Sequence, residues 1–262
     1  MRSLTPPILW PIARRLKSLF FPVFEGPFST WEAAVSGSGG WESSTITDSF
    51  LASALKVRDG VAEFEQDRNV GGKIIYSPTI LAFLVLALAR QKDVLSIIDF
   101  GGALGSNYFQ NRKILRQMSV TSIHWNVVER PVFAKLGREH FQTAELNFYE
   151  SLRDVLSKVT PVPDGLLFSG SLQCIASPLS VLGQVIDAGV KIIAIDRLLV
   201  SPEHEHAVFI QHVPPKISFP VTCFSRDALI AWFIAKGFTL VEHFTQVPDA
   251  HFDICGMIFV RH

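Results

Sequence analysis

A glycine-rich turn, Asp-Phe-Gly-Gly-Ala-Leu-Gly at residues 99–105, is the segment best suited to hold a ligand. It follows an apolar run, VLSIIDF (94–100), that is typical of a buried strand, and it precedes a predicted helix over 106–118. Glycines let the backbone approach a ligand and adopt positive φ, and the start of a helix offers free N–H groups. The predicted ligand-binding residues of this turn are Asp99, Gly101, Gly102 and Gly105.

A second candidate, Glu129, ends the next apolar run, IHWNVVE (123–129). A carboxylate at the tip of the second strand of a parallel sheet can accept two hydrogen bonds from ribose hydroxyls. Enzymes that bind nicotinamide dinucleotides and enzymes that bind S-adenosylmethionine both use this arrangement. Glu129 therefore indicates a nucleoside ligand without choosing between the two.

From residue 93 onwards, short apolar runs alternate with amphipathic helices, which predicts a parallel α/β sheet. The predicted parallel strands are residues 94–100, 123–129, 145–149, 165–172 and 191–196. The chain then ends with two strand-like runs, 238–244 and 254–261, joined closely enough to pair antiparallel. We expect a Rossmann-like fold with a seven-stranded, mostly parallel sheet and a terminal antiparallel hairpin, in the order typical of class I methyltransferases. A dinucleotide-binding domain would instead continue with parallel strands.

The sequence before this domain is harder to assign. We predict an N-terminal helical and loop region over residues 1–75 and a Rossmann-like domain over residues 76–262. Periodicity over 48–66 predicts a helix capped by Asp48. Ser77 and Pro78 suit the start of a buried helix. Within the domain, residues 197–224 hold four prolines and are predicted to form a long functional loop.

The turn does not fit the dinucleotide fingerprint G-x-G-x-x-G, because Phe100 stands where its first glycine would be. It resembles the acidic-x-G-x-G-x-G pattern of class I S-adenosylmethionine-dependent methyltransferases, with Ala103 in place of the middle glycine. The run FGGALGSNYFQNR (100–112) is similar to the signature of a bacterial family of such methyltransferases that is linked to surface-polysaccharide gene clusters. The other runs that resemble this family are FSTWEAA (28–34), WNVVER (125–130), LLFSGSLQ (166–173), IDR (195–197) and QHVPP (211–215).

This resemblance implies S-adenosylmethionine as the cofactor and a cytoplasmic enzyme of polysaccharide biosynthesis. By position, the acidic residue and glycines of the turn would hold the methionine part of the cofactor, and Glu129 would hold the ribose. Tyr149 would flank the adenine, and the loop that contains Ser171 would lie beside the methyl group. The implied reaction is O-methylation of a sugar or a related hydroxylated acceptor.

A hydroxyl acceptor needs a base, because a protonated hydroxyl is a poor nucleophile. The candidate bases are Asp196, His204, His206 and His212. Arg112 could clamp the phosphate or carboxylate of a nucleotide-linked or lipid-linked sugar. The remaining candidate substrate-binding residues are Gln110, Asn111, Arg197 and Gln211. For Asp196 and Arg197, a purely structural ion pair is an equal alternative.

Composition excludes some partners. The 24 basic residues are balanced by 24 acidic ones, so there is no positive excess for a nucleic acid backbone. Residues 8–24 are basic and apolar but too short and too charged to span a bilayer, so only peripheral membrane contact is compatible with them. The three cysteines form no ligand cluster, and we predict no metal site.

Two alternative functions stay open. The chain could be a nicotinamide-dependent sugar-modifying enzyme, or it could be a non-catalytic binding module. The substitution at Ala103 is an argument for the second alternative.

Overall fold

The computed structural model describes residues 23–40, 44–66, 68–91, 94–118, 120–201, 206–213, 217–248 and 252–262. In chain order the elements are β1 (Phe24–Phe28), α1 (Trp31–Ser36), α2 (Ser44–Arg58), β2 (Phe64–Gln66), β3 (Asn69–Gly71), α3 (Pro78–Gln91), β4 (Val94–Phe100), α4 (Ser106–Leu115), β5 (Ser122–Val128), α5 (Pro131–His140), β6 (Leu146–Tyr149), α6 (Leu152–Lys158), β7 (Gly165–Ser169), α7 (Pro178–Asp187), β8 (Ile192–Ser201), β9 (Ala207–Val213), β10 (Ile217–Ser225), α8 (Arg226–Ala235), β11 (Thr239–Pro248) and β12 (Asp253–Val260).

The described residues fall into two compact units. The first contains those that precede residue 42 together with 207–222, and the second contains the rest. This division differs from the expected boundary after residue 75, because residues 44–75 belong to the second unit. In the first unit, β1 pairs antiparallel with β9. Strands β1, β2 and β3 lie within the first 75 residues, beside helices α1 and α2.

The second unit is built on a sheet whose strand order, within the described residues, is β6-β5-β4-β7-β8-β12-β11. The first five strands are parallel, and β12 runs antiparallel to both β8 and β11. Strand β4 is the central one of the five parallel strands. Its residues 95–99 are all buried, as expected for a parallel strand covered on both faces. The predicted Rossmann-like methyltransferase fold, with its terminal antiparallel hairpin, is confirmed.

Local signals explain where most helices begin. Pro78 and Pro131 occupy the first positions of α3 and α5, where the missing N–H is not needed. Ser151 and Ser225 cap α6 and α8 by accepting a hydrogen bond from the backbone N–H three residues later. The sequence analysis predicted the start at Pro78.

The helix predicted over 48–66 was wrong in its bounds. Helix α2 begins at Ser44, so Asp48 lies inside it and does not cap it. The chain leaves the helix at Gly60, whose φ of 75° places it in the left-handed region. The remaining residues of the predicted helix enter the β2–β3 hairpin. The apolar periodicity of α2 continues across this glycine, which is why the sequence suggested a longer helix.

The long functional loop predicted over 197–224 was also wrong. Strand β8 continues to Ser201, and β9 and β10 account for most of the residues after it in that stretch. The prolines suggested a loop, but Pro220 lies within β10, and Pro202, Pro214 and Pro215 lie outside the described residues.

A β-bulge interrupts β8 near the carboxyl end of the sheet. Leu198 pairs with Cys255 and Ile195 pairs with Met257, so two residues of β8 face the single residue Gly256. One of the two is Arg197, whose φ is 54°. Gly256 itself packs against α3, because a Cβ added to it would lie 1.8 Å from Thr79 Oγ1. Helix α3 is thereby fixed against the bulge.

We expect Gly256→Ala to lower the free energy of unfolding by at least about 2 kcal/mol, because the added methyl group overlaps Thr79. Removing the obstacle in the double variant Gly256→Ala with Thr79→Ala should restore part of the loss. Gly183→Ala is the matched control: nothing lies within 4 Å of its added Cβ, and alanine favours helix α7 by up to about 1 kcal/mol. Urea unfolding measures all three, and equal effects for the two glycines would contradict the proposed contact.

Candidate functional site

The glycine-rich turn follows β4 at the carboxyl edge of the sheet, and two of its glycines have positive φ. Gly101 has a φ of 72°, and a Cβ on it would lie 2.5 Å from Ser171 Cβ. Gly105 has a φ of 90°, precedes the first residue of α4, and contributes no side chain to cap the helix. A side chain at either position would be strained by the backbone and would collide with a neighbour. The turn therefore depends on these glycines for its shape.

Asp99 lies fully buried beneath the turn. Its carboxylate accepts hydrogen bonds from Asn107 Nδ2 at 3.1 and 3.2 Å and from Trp125 Nε1 at 3.0 Å. A Cβ on Gly102 would lie 2.5 Å from Asp99 Oδ2, so the turn packs directly on the carboxylate. Asp99 thus connects the turn, α4 and β5. Its contact with a ligand stays a prediction.

Burial raises the pKa of Asp99 from 3.8 to about 6, because the charged form loses its hydration. The donors of Trp125 and Asn107 act in the opposite direction, and the nearby charge of Glu129 adds to the increase. The carboxyl group of Asp99 therefore changes from its protonated to its charged form near pH 6.

Ala103 occupies the middle-glycine position of the methyltransferase pattern. Its φ is 50°, in the left-handed region where an L-residue with a Cβ is strained by about 1–2 kcal/mol. The turn therefore holds this alanine in a conformation that its side chain disfavours.

Glu129 lies at the tip of β5, beside the turn. Its carboxylate accepts hydrogen bonds from the backbone N–H groups of Arg130, at 2.8 Å, and of Ala103. The side chain is 13% exposed, and burial raises its pKa. Its own N–H donates to the carbonyl of Tyr149 at the end of β6. Because a carboxylate offers about four acceptor positions, Glu129 has capacity left for a ligand.

Ser171 follows β7 and contacts the glycine-rich turn. Its hydroxyl donates to the carbonyl of Phe100, and its Cβ fills the space beside Gly101. The structure therefore brings together the predicted cofactor-binding residues at one edge of the sheet: Asp99, Gly101, Gly102, Gly105, Glu129, Tyr149 and Ser171.

A second polar cluster surrounds Asp196 on β8. Its buried carboxylate accepts hydrogen bonds from Ser77 Oγ at 2.7 Å and Ser169 Oγ at 2.9 Å. Arg197 folds back over Gly170 and donates from Nη2 to the carbonyl of Ser169 at 3.0 Å. The two serines were not among the predicted site residues. The sequence identified Ser77 only as a helix cap, and a contact over more than a hundred residues leaves no local signal.

Gln173 extends this cluster. Its side chain is 9% exposed and donates from Nε2 to the carbonyl of Arg197 at 3.1 Å. Its Oε1 is buried and has no hydrogen-bond partner among the described residues. A buried acceptor without a donor costs stability unless another molecule supplies one.

The histidines lie in different places. His206 lies in the second unit, and its Nδ1 accepts a hydrogen bond of 3.1 Å from the backbone N–H of Ser225. Burial lowers the pKa of its imidazole. His212 and Gln211 belong to β9 in the first unit, where His212 Nε2 lies 3.1 Å from Glu25. His204 lies outside the described residues. The proposed roles of these residues stay predictions.

The three substrate candidates on α4 are engaged within the protein. Gln110 donates to the carbonyl of Glu65 at 2.9 Å, and Asn111 donates to the carbonyl of Asn107 at 2.8 Å. The guanidinium of Arg112 lies 4.8 Å from the ring centre of Phe109. Only the contact of Gln110 joins α4 to another element, β2, while the other two lie within α4. Contact of these residues with a substrate stays a prediction.

Glu65 on β2 was missed by the sequence analysis. It is a buried carboxylate that accepts hydrogen bonds from the Ser106 hydroxyl, at the first residue of α4, and from the backbone N–H of Arg68 at 2.6 Å. Glu65 lies within residues 48–66, for which the sequence predicted a helix, and glutamate is common in helices. No local signal distinguishes it.

Within the described residues, no group of three or more His, Cys, Asp and Glu side chains could hold a metal ion. In the same part of the chain, no helix combines the length and the apolar composition needed to cross a bilayer.

No family model matches this chain, and no curated protein matches it. Solved structures of similar fold include the N-terminal domain of EvdMO1 in the presence of S-adenosylhomocysteine and D-fucose. That structure has a TM-score of 0.49 and 14% identity, covering 82% of this chain and 97% of that one. A second is the 1,6-didemethyltoxoflavin-N1-methyltransferase of Burkholderia thailandensis, with a TM-score of 0.46, 15% identity and coverage of 90% and 92%. A third is the CcbJ methyltransferase of Streptomyces caelestis, with a TM-score of 0.44, 13% identity and coverage of 71% and 97%. All these scores and identities are low, so we base the fold on the strand order of the chain itself.

We expect stability to depend on pH through Asp99. Because its pKa is higher in the folded than in the unfolded protein, the folded state binds more protons between pH 3.8 and about 6. The free energy of unfolding should therefore fall as the pH rises through this window, by up to about 3 kcal/mol. Asp99→Asn removes the titration, so the stability of the natural protein relative to this variant should decrease between pH 4 and pH 7 in urea unfolding.

Asp187→Asn is the matched control for this experiment, because it makes the same change at an exposed position. A difference between natural protein and Asp99→Asn that stays constant from pH 4 to pH 7 would contradict the effect of burial.

We expect Ala103→Gly to raise the free energy of unfolding by about 0.5–1 kcal/mol, because relief of the left-handed strain exceeds the extra flexibility of glycine in the unfolded chain. Ala188→Gly is the control: Ala188 has a φ of −71°, so glycine there should lower stability by about 0.5–1 kcal/mol. Thermal or urea unfolding measures the stability of both variants. A loss of stability in both would show that Ala103 is not strained.

Proposed function

We propose that this chain is an S-adenosylmethionine-dependent methyltransferase whose cofactor lies across the tips of β4 and β5. One observation carries the proposal: the Glu129 carboxylate lies at the tip of the second strand beside a turn shaped by Gly101 and Gly105. The sheet that holds them ends in the antiparallel strands β12 and β11, which is typical of methyltransferases and not of dinucleotide-binding domains.

The residues at this edge suit a nucleoside with an amino-acid tail. The glycines of the turn carry no side chains that would obstruct an amino-acid tail, and Glu129 keeps acceptor positions for two ribose hydroxyls. Tyr149, half-buried at the end of the neighbouring β6, is placed to border an adenine. The absence of a glycine at position 100 disfavours the pyrophosphate of a nicotinamide dinucleotide.

When bound, S-adenosylmethionine supplies a methyl group that is already activated on a sulfonium. The protein then has to hold the acceptor in line with the methyl carbon, and such orientation supplies up to about 7–11 kcal/mol of the barrier. Ser171 and Gln173 lie on the loop after β7, and the Gln173 Oε1 atom is the acceptor there that lacks a donor among the described residues. We assign to Gln173 the role of orienting a hydroxyl or amine of the acceptor.

The base is proposed among Asp196, His206 and His212. For Asp196, the hydroxyls of Ser77 and Ser169 already donate to the carboxylate, so a proton would reach it by relay through one of them. For His206, burial lowers the pKa and keeps the ring neutral, and Nδ1 accepts the N–H of Ser225, so the ring carries its proton on Nε2. His206 can act as a base only at Nδ1, after the hydrogen bond from Ser225 is broken. For each candidate base, substitution of that residue should abolish turnover and leave cofactor binding unchanged.

We propose a hydroxylated acceptor, a sugar or a nucleotide-linked or lipid-linked sugar, methylated on oxygen in the cytoplasm of a bacterium during polysaccharide synthesis. The resemblance of residues 100–112 to a family linked to such gene clusters supports this acceptor class. Arg112, Arg197, Gln110 and Asn111 of the second unit are its proposed contacts. The guanidinium groups among them suit a phosphate.

Isothermal titration of the purified chain with S-adenosylhomocysteine and, separately, with NAD⁺ tests the cofactor. The proposal expects binding of the first and none of the second. The reverse result would favour a nicotinamide-dependent enzyme and overturn the proposal. Incubation with S-adenosylmethionine labelled in the methyl group and a bacterial extract then tests catalysis, and cofactor binding without label transfer would favour a non-catalytic module.

Glu129→Ala should weaken the binding of S-adenosylhomocysteine by about 1–3 kcal/mol, or about 5- to 150-fold, because two ribose hydroxyls lose their acceptor. The exposed Glu139→Ala on α5 carries the same change of charge and should bind normally. Titration calorimetry compares the two. If both variants bind as tightly as the natural protein, Glu129 is not a ribose ligand.

A further inference from the structure

The carboxyl group of Asp99 lies directly beneath the backbone of the glycine-rich turn. It is fully buried, and a Cβ added to Gly102 would lie 2.5 Å from its Oδ2 atom and 3.0 Å from its Oδ1 atom. Because residue 102 is a glycine, no side chain stands between the carboxyl group and the turn. A ligand that lies on the turn at Gly102 is therefore separated from this carboxyl group by backbone alone.

The groups in contact with the Asp99 carboxyl group are uncharged. Its two hydrogen-bond donors are the amide of Asn107 on α4 and the indole N–H of Trp125 on β5. Its partners in the sheet are Val127 of β5 and Leu167 of β7, both apolar. Asp99 is therefore a buried acid that no hydrogen-bonded cation among the described residues holds in its charged form.

Two charged groups act on Asp99 from a longer distance. The carboxylate of Glu129 disfavours a second negative charge, and the guanidinium of Arg197 on β8 favours it. Burial has the largest effect and raises the pKa of Asp99 to about 6. The carboxyl group is thus divided between its protonated and charged forms near this pH, and a further charge close by would change the division.

The two carboxyl groups also favour one orientation of the cofactor's amino-acid tail. This tail carries an ammonium and a carboxylate, and a carboxylate over Gly102 would be repelled by Asp99 and Glu129. The ammonium is attracted there instead. A cation near a carboxyl group that is shielded from water stabilises the charged form of that group.

We propose that binding of the cofactor's ammonium group over Gly102 releases a proton from Asp99 to the solvent. This inference rests on the proposed function, which places the amino-acid tail at the turn. The O–H bond of the carboxyl group breaks, its electron pair stays on the carboxylate, and the charge of the ammonium takes the place of the proton. By linkage, a rise in pH then strengthens cofactor binding.

Titration calorimetry with S-adenosylhomocysteine at pH 6, in buffers of different ionisation enthalpy, measures this proton release. We expect about half a proton per ligand bound, because about half of the Asp99 carboxyl groups are protonated at that pH, whereas the amino group of the ligand is already charged. The Kd should fall by up to about tenfold from pH 5 to pH 7, as the charged fraction of Asp99 rises. The compound 5′-methylthioadenosine has the nucleoside and the sulfur but no amino-acid tail, and it should bind without proton release.

Variants identify the group that loses the proton. Asp99→Asn should abolish the proton release at pH 6, and Asp187→Asn, the same change at an exposed position, should leave it unchanged. Trp125→Phe is a second variant if asparagine at position 99 prevents folding. It removes a donor that favours the charged form of Asp99, so the pH dependence of the Kd should move to higher pH.

Three results would overturn the inference: no proton release from the natural protein, release that persists in Asp99→Asn, or equal release with 5′-methylthioadenosine. Persistence in Asp99→Asn would point to another acid, such as Glu129. Failure of the natural protein to bind S-adenosylhomocysteine at any pH would instead count against the proposed function.

Discussion

The buried carboxylate of Asp99 is the constraint on which the site depends. It has no contact with solvent, and its hydrogen bonds come from α4 through Asn107 and from β5 through Trp125. Gly102 can pass over it only because glycine has no side chain. A single buried group therefore sets the direction of α4, the depth of the turn and the spacing of β4 from β5. Because the backbone is fixed in this way, Ala103 adopts a left-handed φ that its side chain disfavours.

The carboxyl edge of the sheet carries two polar clusters with different chemistry. Around the turn, Glu129 and the backbone form a surface suited to a nucleoside. Around the bulge in β8, Asp196, Arg197 and Gln173 are joined to Ser77 and Ser169 by hydrogen bonds. Strands β4 and β7 are neighbours in the sheet, and Ser171 joins the end of β7 to the turn. A cofactor in the first cluster would therefore present its reactive group toward the second.

The sequence predicted the parts of this arrangement that depend on local pattern. Apolar runs identified the parallel strands, serines and prolines identified helix starts, and the glycine spacing identified the turn. It did not predict contacts between residues distant in the chain, such as Glu65 with Ser106 or Asp196 with Ser77, because no short-range pattern encodes them. It also misjudged the end of α2 at Gly60 and the strands β9 and β10 within 197–224. The bulge at Arg197 is of the same kind, because the register of β12 determines it.

A crystal structure of the chain with S-adenosylhomocysteine tests the central claim most directly. The account predicts ribose hydroxyls within hydrogen-bond distance of the Glu129 carboxylate, the amino-acid tail along the turn at Gly101 to Gly105, and the sulfur directed toward the loop after β7. Density for the ligand elsewhere, or an unchanged turn with Glu129 still bonded only to Arg130 and Ala103 at saturating ligand, would contradict it.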